Sequence, residues 1–429
     1  MYSGSRPLAY WFDQELVSAT SVDYAEGSAI DRAFLSFLMI IGLVVLWKRR
    51  RDVSRILTNN KWLLAFFAYM AFSILWSDYP GVSFKRWTKT VGDLLMVLIV
   101  LTEADCLDGM KTIFRRSAFV LLPLSIILIK YFRDIGIAYS DDGSQTMWIG
   151  VTTQKNVLGY VAMVCGLSFV HSIVTDRKLR KIWVDLLLLL LALWLLAGSS
   201  TAGSKTSLFG FVFGVCVLIA VRRSPKNPGR VGLVVILLAL MAVVWTSFGG
   251  SLFESAASTL GRDATLTGRT DIWNAVLEVG PRDPLLGRGY GSFWIGDTAA
   301  EVWRKPYIYA HIQQSHNGYL DIYLELGILG LALLSCLICS VYRNSLVTLA
   351  SHFEYGTMRM ILLFVILVHN IAESSFGRPV HLLWFLFLLV CTSVPTPRVP
   401  SPRQSERQPP SIVINRHAKA TPKGRLRAP

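Results

Sequence analysis

The chain has 429 residues, of which 53% are hydrophobic and only 17% charged, with mean hydropathy +0.46. Soluble chains carry about 25% charged residues, so an ordinary soluble domain is excluded. The net charge of +15 is spread over many short clusters, with no large basic domain, which leaves a nucleic-acid partner without support.

Residues 1–31 lack the basic start and unbroken apolar core of a signal peptide. They are acidic, with Asp13, Glu15, Asp23, Glu26 and Asp31 against Arg6. Apolar blocks bounded by charge then follow at 33–47, 61–76, 88–102, 117–132, 157–175, 182–198, 206–221, 231–248, 317–342, 358–373 and 380–394. The expectation is an all-α polytopic integral membrane protein of about eleven (roughly 10–12) transmembrane helices. Basic clusters fall on alternate connections, including Lys48 to Arg51, Arg115-Arg116, Arg177 to Lys181 and Arg222 to Arg230. The positive-inside rule then puts the N-terminus outside, the C-terminus inside and membrane lipid around the bundle. Five of the six cysteines lie in apolar segments. Cys336 and Cys339 read as packing residues, not as a redox pair.

Two regions break the pattern. Residues 395–429 are basic and rich in proline and read as a disordered cytoplasmic tail. Residues 249–315 form a long hydrophilic loop on the outer side, and loops of that length are commonly functional. Thr265 to Asp271 reads as a capped helix start, with Ile272, Trp273, Val276 and Leu277 as its apolar face. Pro281 and Pro284 stop that helix, and Leu286 to Trp294 reads as a glycine-rich turn carrying an exposed Arg288. A small helical cap on the outer face of the bundle is expected.

Ser315-His316-Asn317-Gly318 marks the point where this loop meets the next apolar helix. Leu320 and Tyr323 continue one helical face from His316, and Gly327 and Gly330 leave a groove for a neighbouring helix. A histidine at such a boundary commonly packs or caps, and it can also act as a base. Arg86, Lys205, Arg269 and Arg288 all fall on the outer side, beside Gly, Ser and Thr residues that let an anion approach. Each alone reads as a solvated base. Together they suit a phosphate or diphosphate headgroup. Asp321 and Glu325 read as residues that orient polar neighbours. No metal or other cofactor is expected, since the chain has no Walker sequence, acidic metal pair or zinc cluster.

The set of short motifs resembles the O-antigen ligase/polymerase superfamily. The matching pieces are His316-Asn317-x-x-Leu320 with Gly327 and Gly330, Thr267-Gly268-Arg269 with Trp273, Pro284-Leu285-Leu286-Gly287-x-Gly289, Trp76-Ser77 with Pro80 and Ser83, Gln154 to Gly159, and the Ser/Thr-rich loop 199–207. The resemblance spans roughly 60–395 and is greatest to the exopolysaccharide-production polymerase branch of rhizobia and relatives. It implies a fold similar to GT-C glycosyltransferases, with a helical periplasmic loop over a bundle in the bacterial inner membrane. It implies metal-independent polymerisation of oligosaccharide repeat units carried on undecaprenyl diphosphate. By motif, His316 takes the role of base. Arg269 and Arg288 become diphosphate ligands, joined by Lys205 and Arg86, with Asn317 as acceptor ligand or helix cap. Many relatives carry arginine where this chain has Lys205, which keeps the charge without the bidentate fork. A flippase and a chain-length regulator are the implied pathway partners.

Two alternatives stay open. An O-antigen ligase would transfer a glycan to lipid A or another acceptor with the same machinery. A transporter or flippase would depend on intramembrane charges such as Asp93, Asp185 and Glu373.

Overall fold

The computed structural model describes residues 4–12, 28–103, 106–139, 145–175, 179–198, 202–224, 232, 267–308 and 311–392. Apart from Gly232, the expected span 231–248 lies outside the described residues, as do most of the acidic N-terminal segment, the first part of the outer loop and the C-terminal tail.

Ten of the expected apolar blocks fall on helices. Single turns aside, the helices are α1 (Ala29–Lys48), α2 (Arg50–Asn59), α3 (Lys61–Phe72), α4 (Pro80–Leu101), α5 (Cys106–Tyr131), α6 (Lys155–Thr175), α7 (Leu179–Ala197) and α8 (Lys205–Arg223). The outer loop contributes α9 (Thr267–Val279) and α10 (Gly296–Trp303). The chain closes with α11 (Gly318–Ser351), α12 (Phe353–Ala372) and α13 (Leu382–Cys391). Six of these helices are long and apolar enough to cross a membrane, and shorter apolar helices accompany them at 61–76, 182–197 and 382–391. The protein is an all-α polytopic membrane protein.

The polar α2 was not among the expected spans and cannot be one. It carries Arg50, Arg51, Asp52 and Arg55 within ten residues. A second unexpected element is a β-pair, Ile137–Tyr139 against Thr146–Trp148, antiparallel with Ala138 opposite Met147. It closes the connection between α5 and α6.

Burial follows position in the bundle. α6 and α12 are the most enclosed spans, each with 78% of its apolar window buried. Against the rest of the described residues α1 buries only Gly42 and Leu46. The carboxylates that could have marked a transport path are satisfied inside the protein. Asp185 pairs with Arg115 at 2.8 Å and also accepts from Ser172 at 2.6 Å, while Asp93 Oδ2 accepts from the Val380 backbone at 2.9 Å.

The loop is built into the bundle through a break in α11. Gly327 has φ 65° and ψ −165°, so the helical ladder stops there. Backbone groups freed inside a membrane protein need partners within the protein. Residues 284–289 supply them. Ile328 N donates to Pro284 O at 2.9 Å and Leu329 N to Leu285 O at 3.2 Å. In return Arg288 N donates to Leu324 O at 3.1 Å and Gly289 N to Glu325 O at 2.8 Å. Tyr69 of α3 adds a hydroxyl bond to Leu326 O at 3.0 Å. The groove expected at Gly327 therefore receives the loop's own backbone, not a neighbouring helix. A Cβ at Gly327 would lie 2.2 Å from Leu285 O.

Gly327→Val is expected to cost at least about 2 kcal/mol, combining a left-handed backbone penalty with the clash. Thermal denaturation of the solubilised protein checks this. Gly81→Ala, where a Cβ meets nothing within 4 Å, should leave the midpoint unchanged. Equal midpoints for the two variants would contradict the role given to the break.

Candidate functional site

The cap sits on the start of α11 because its apolar faces meet there. Ala275 and Val276 of α9, Phe293, Trp294 and Val302 bury themselves with Leu324. Leu320 and Tyr323 pack against this cluster, so the helical face below His316 runs into the cap and not into lipid. Trp273 Nε1 donates to Ser315 O at 2.9 Å, and Asp321 Oδ1 accepts from Ser315 N at 3.1 Å and from Trp294 Nε1 at 3.2 Å. These bonds hold the strand entering α11 from both sides.

Asn317 is the N-cap of α11. Its Oδ1 accepts from Tyr319 N at 3.1 Å and Leu320 N at 3.2 Å. Such a cap contributes about 1 kcal/mol. His316 precedes it with φ 54°, an uncommon conformation for a residue with a Cβ. It therefore lies outside the helix and turns toward α12. The two elements meet closely: a Cβ at Gly318 would lie 2.0 Å from Asn370 Oδ1. That same oxygen accepts from Ser375 N at 2.9 Å and Phe376 N at 3.2 Å, which shapes the turn after α12.

Glu373 stands at the end of α12, 6% exposed. Its Oε2 lies 3.0 Å from His316 Nδ1, and its Oε1 accepts from Asn156 Nδ2 at 2.7 Å and Arg269 Nη2 at 3.1 Å. Burial alone would raise its pKa. The bonds and charges of His316 and Arg269 outweigh burial and hold it below the ordinary carboxylate range. The pair beside Nδ1 fixes the imidazole: a neutral ring donates from Nδ1 to the carboxylate and keeps its lone pair on Nε2. Gln314 Nε2 lies 3.3 Å from the same Nδ1.

His316 and Glu373 line a cavity of about 760 Å³ at this end of the bundle. Gln154, Asn156 and Tyr160 of the α6 start and Arg378 of the turn after α12 share its wall. His381, the N-cap of α13, lines it too and is pushed down to about 3 by burial and then by Arg378, which keeps that ring neutral.

The anticipated cations divide. Arg269 joins the His316 network through Glu373. Arg288 is only 18% exposed, not the exposed arginine expected, and its donors are used within the protein. It bonds Gly280 O at 3.0 Å and Thr298 Oγ1 at 3.3 Å, and it lies 3.5 Å from Asp78. Arg86 donates to Gly291 O at 2.6 Å. Both arginines hold the glycine-rich turn in place. Lys205 opens α8 just after Ser204, whose Cβ a side chain at Gly159 of α6 would meet. It is not among the cavity-lining residues. Asp321 and Glu325 do orient polar neighbours: Asp321 also takes Arg378 Nη2 at 3.1 Å, and Glu325 takes Gly291 N at 2.9 Å.

Glu373 escaped the sequence reading as a site residue because it looked like an intramembrane charge. The available signal was its place: it closes the 358–373 apolar block, with Ser374, Ser375 and Arg378 behind it. Asn156 was visible only as part of a motif. Its partner, 217 residues away, was not.

Two outcomes follow. Arg288→Ala should lower the melting temperature, because it leaves the carbonyls of Val279 and Gly280 without their donor, at about 1–3 kcal/mol. A melting temperature equal to wild type would contradict this structural role. Because the folded Glu373 pKa is depressed, its contribution stands above the ordinary carboxylate range and is lost as pH falls through the lowered value. Acid titration of stability should therefore flatten in Glu373→Gln. An unchanged acid limb would exclude the network as its source.

Residues 190–335 match the O-antigen ligase family. That stretch contains α9, α10, the glycine-rich turn, His316 and the start of α11. The chain is 26% identical over 361 residues to the exopolysaccharide production protein ExoQ of Rhizobium meliloti (strain 1021), covering 81% of this chain and 80% of that protein. It is 24% identical over 301 residues to a protein provisionally named a polysaccharide ligase from Rickettsia prowazekii (strain Madrid E), covering 67% and 69%. The chain is thus a polytopic membrane protein that is similar, in its loop and the start of α11, to the O-antigen ligase family and, over most of its length, to an exopolysaccharide production protein.

Proposed function

We propose that the protein polymerises oligosaccharide repeat units carried on undecaprenyl diphosphate, at the periplasmic face of the bacterial inner membrane. The observation that carries this reading is the 3.0 Å contact of His316 Nδ1 with buried Glu373 at the wall of the cavity. Glycosyl transfer needs a base for the acceptor hydroxyl and cations for the departing diphosphate. His316 Nε2 takes the hydroxyl proton as the oxygen attacks the anomeric carbon. The bond from that carbon to the diphosphate breaks, and undecaprenyl diphosphate leaves with the electron pair. Glu373 stabilises the imidazolium that forms. Arg269, one carboxylate away, supplies positive charge for the diphosphate. Arg288 and Arg86 contribute by holding the glycine-rich turn. A flippase would deliver the donor to this face, and a chain-length regulator would act on the product.

A ligase reading draws on the family match, since the same chemistry would pass a finished glycan to lipid A or another acceptor. Products separate the two. Loss of the polymerase leaves single lipid-linked units, whereas loss of a ligase leaves long lipid-linked chains.

His316→Ala is expected to reduce transfer by about 10²- to 10⁴-fold, the usual contribution of a general base. His316→Arg should be inactive. The measurement is transfer from a purified lipid-linked donor. An active His316→Arg would leave His316 as an anion ligand instead. Cysteine labelling of intact cells addresses orientation. Positions in 296–303 should react from outside, and reaction only after the inner membrane is opened would overturn the periplasmic assignment.

A further inference from the structure

The cavity has a second polar wall that the transfer step above does not use. It is made by Arg32 of α1, Lys89 of α4 and Arg378 of the turn between α12 and α13. None of these residues came from the matched 190–335 segment.

The charges on this wall are poorly balanced. Lys89 feels the like charges of Arg86, Arg32 and Lys85, with Asp31 as the opposing carboxylate. Asp31 is itself engaged, accepting from Leu8 N at 2.9 Å. No hydrogen bond or ion pair within the described residues engages the side chain of Lys89 or of Arg32. A partly buried ammonium without a partner is costly, and crowding by other cations adds to the cost. An anion entering the cavity would relieve both.

Arg378 is presented to the same space by a held turn. One Nη2 bonds Asp321 Oδ2 and Gln313 O, each at 3.1 Å. Two residues on, Val380 has φ 59°, a rare conformation for a β-branched residue, and Asp93 holds its N–H. His316 and Val380 are the two non-glycine residues with positive φ among those described, and both line this cavity. Strained residues persist where the surroundings over-determine them, commonly around binding sites.

We propose that Arg32, Lys89 and Arg378 form an oxyanion subsite in this cavity, for a phosphate of the lipid-linked donor or a carboxylate borne by the sugar chain. Its place in a transfer reaction rests on the function proposed above, whereas its existence as a binding site does not. A guanidinium fork and an ammonium on facing helices suit either anion, since both present paired oxygens.

The test uses the full-length protein in phosphatidylcholine nanodiscs, which add no net anionic lipid. Two probes are titrated: farnesyl diphosphate, which has no sugar, and a galacturonate oligosaccharide compared with its neutral methyl ester. Lys89→Gln and Arg32→Gln should each weaken at least one acidic probe by about tenfold, as for loss of a charge-assisted contact. Lys89→Arg should restore most of the affinity, which separates charge loss from misfolding. A deficit for farnesyl diphosphate assigns the subsite to the donor's diphosphate. A deficit for the galacturonate chain but not its ester assigns it to an acidic sugar. Affinities within about twofold of wild type for both probes in both Gln variants would overturn the subsite. His316→Ala keeps the two ideas apart. Retained transfer in that variant would remove the base assignment and leave the probe titrations as the judge of the subsite.

Discussion

A buried carboxylate organises the capped end of this bundle. Glu373 is almost fully removed from water, so its charge has to be met by protein groups. Leaving such a charge unpaired would cost several kcal/mol. Asn156 from α6, Arg269 from α9 and His316 from the entry to α11 meet it. Three elements distant in sequence are thereby drawn to the end of α12. The same bonds that stabilise the carboxylate also orient the imidazole, so the packing requirement and the chemistry are one arrangement.

That arrangement depends on a second constraint, the satisfaction of backbone groups where α11 breaks. A helix that stops inside a membrane bundle exposes N–H and C=O groups which lipid cannot solvate. Residues 284–289 fill the gap, and in doing so they fix the height of the cap over the bundle. Arg288 and Arg86 then tie the turn down by bonding carbonyls on either side of it. Their hydrogen-bonding capacity goes largely to architecture. A motif can thus be rich in arginine for the sake of a loop's geometry as much as for a ligand.

The opposite end of the bundle shows what an ion cluster without a cavity looks like. His171, Thr175, Arg222 and Glu354 close together where α6 and α8 end and α12 begins. There the partners use one another, and the cluster staples three helices. The outer cavity differs because Lys89 and Arg32 are left over.

Hydropathy and charge spacing determined the all-α membrane class and the position of ten apolar helices, because the cost of placing polar groups in lipid is written directly into composition. The loop, its helix at Thr267 and the mouth position of His316 were legible for the same reason, as was the Asn317 cap, since both are local signals. The partnership of His316 with Glu373 was not. It joins residues 57 apart through a turn set by Asn370, and no periodicity encodes that meeting. Nor could the sequence separate Arg269, which reaches the site, from Arg288, which is turned into the cap. Both follow glycine and both lie in the same loop. Only the packing of α9 against α11, and the repair of the break at Gly327, decided which guanidinium faces the cavity network and which faces the protein.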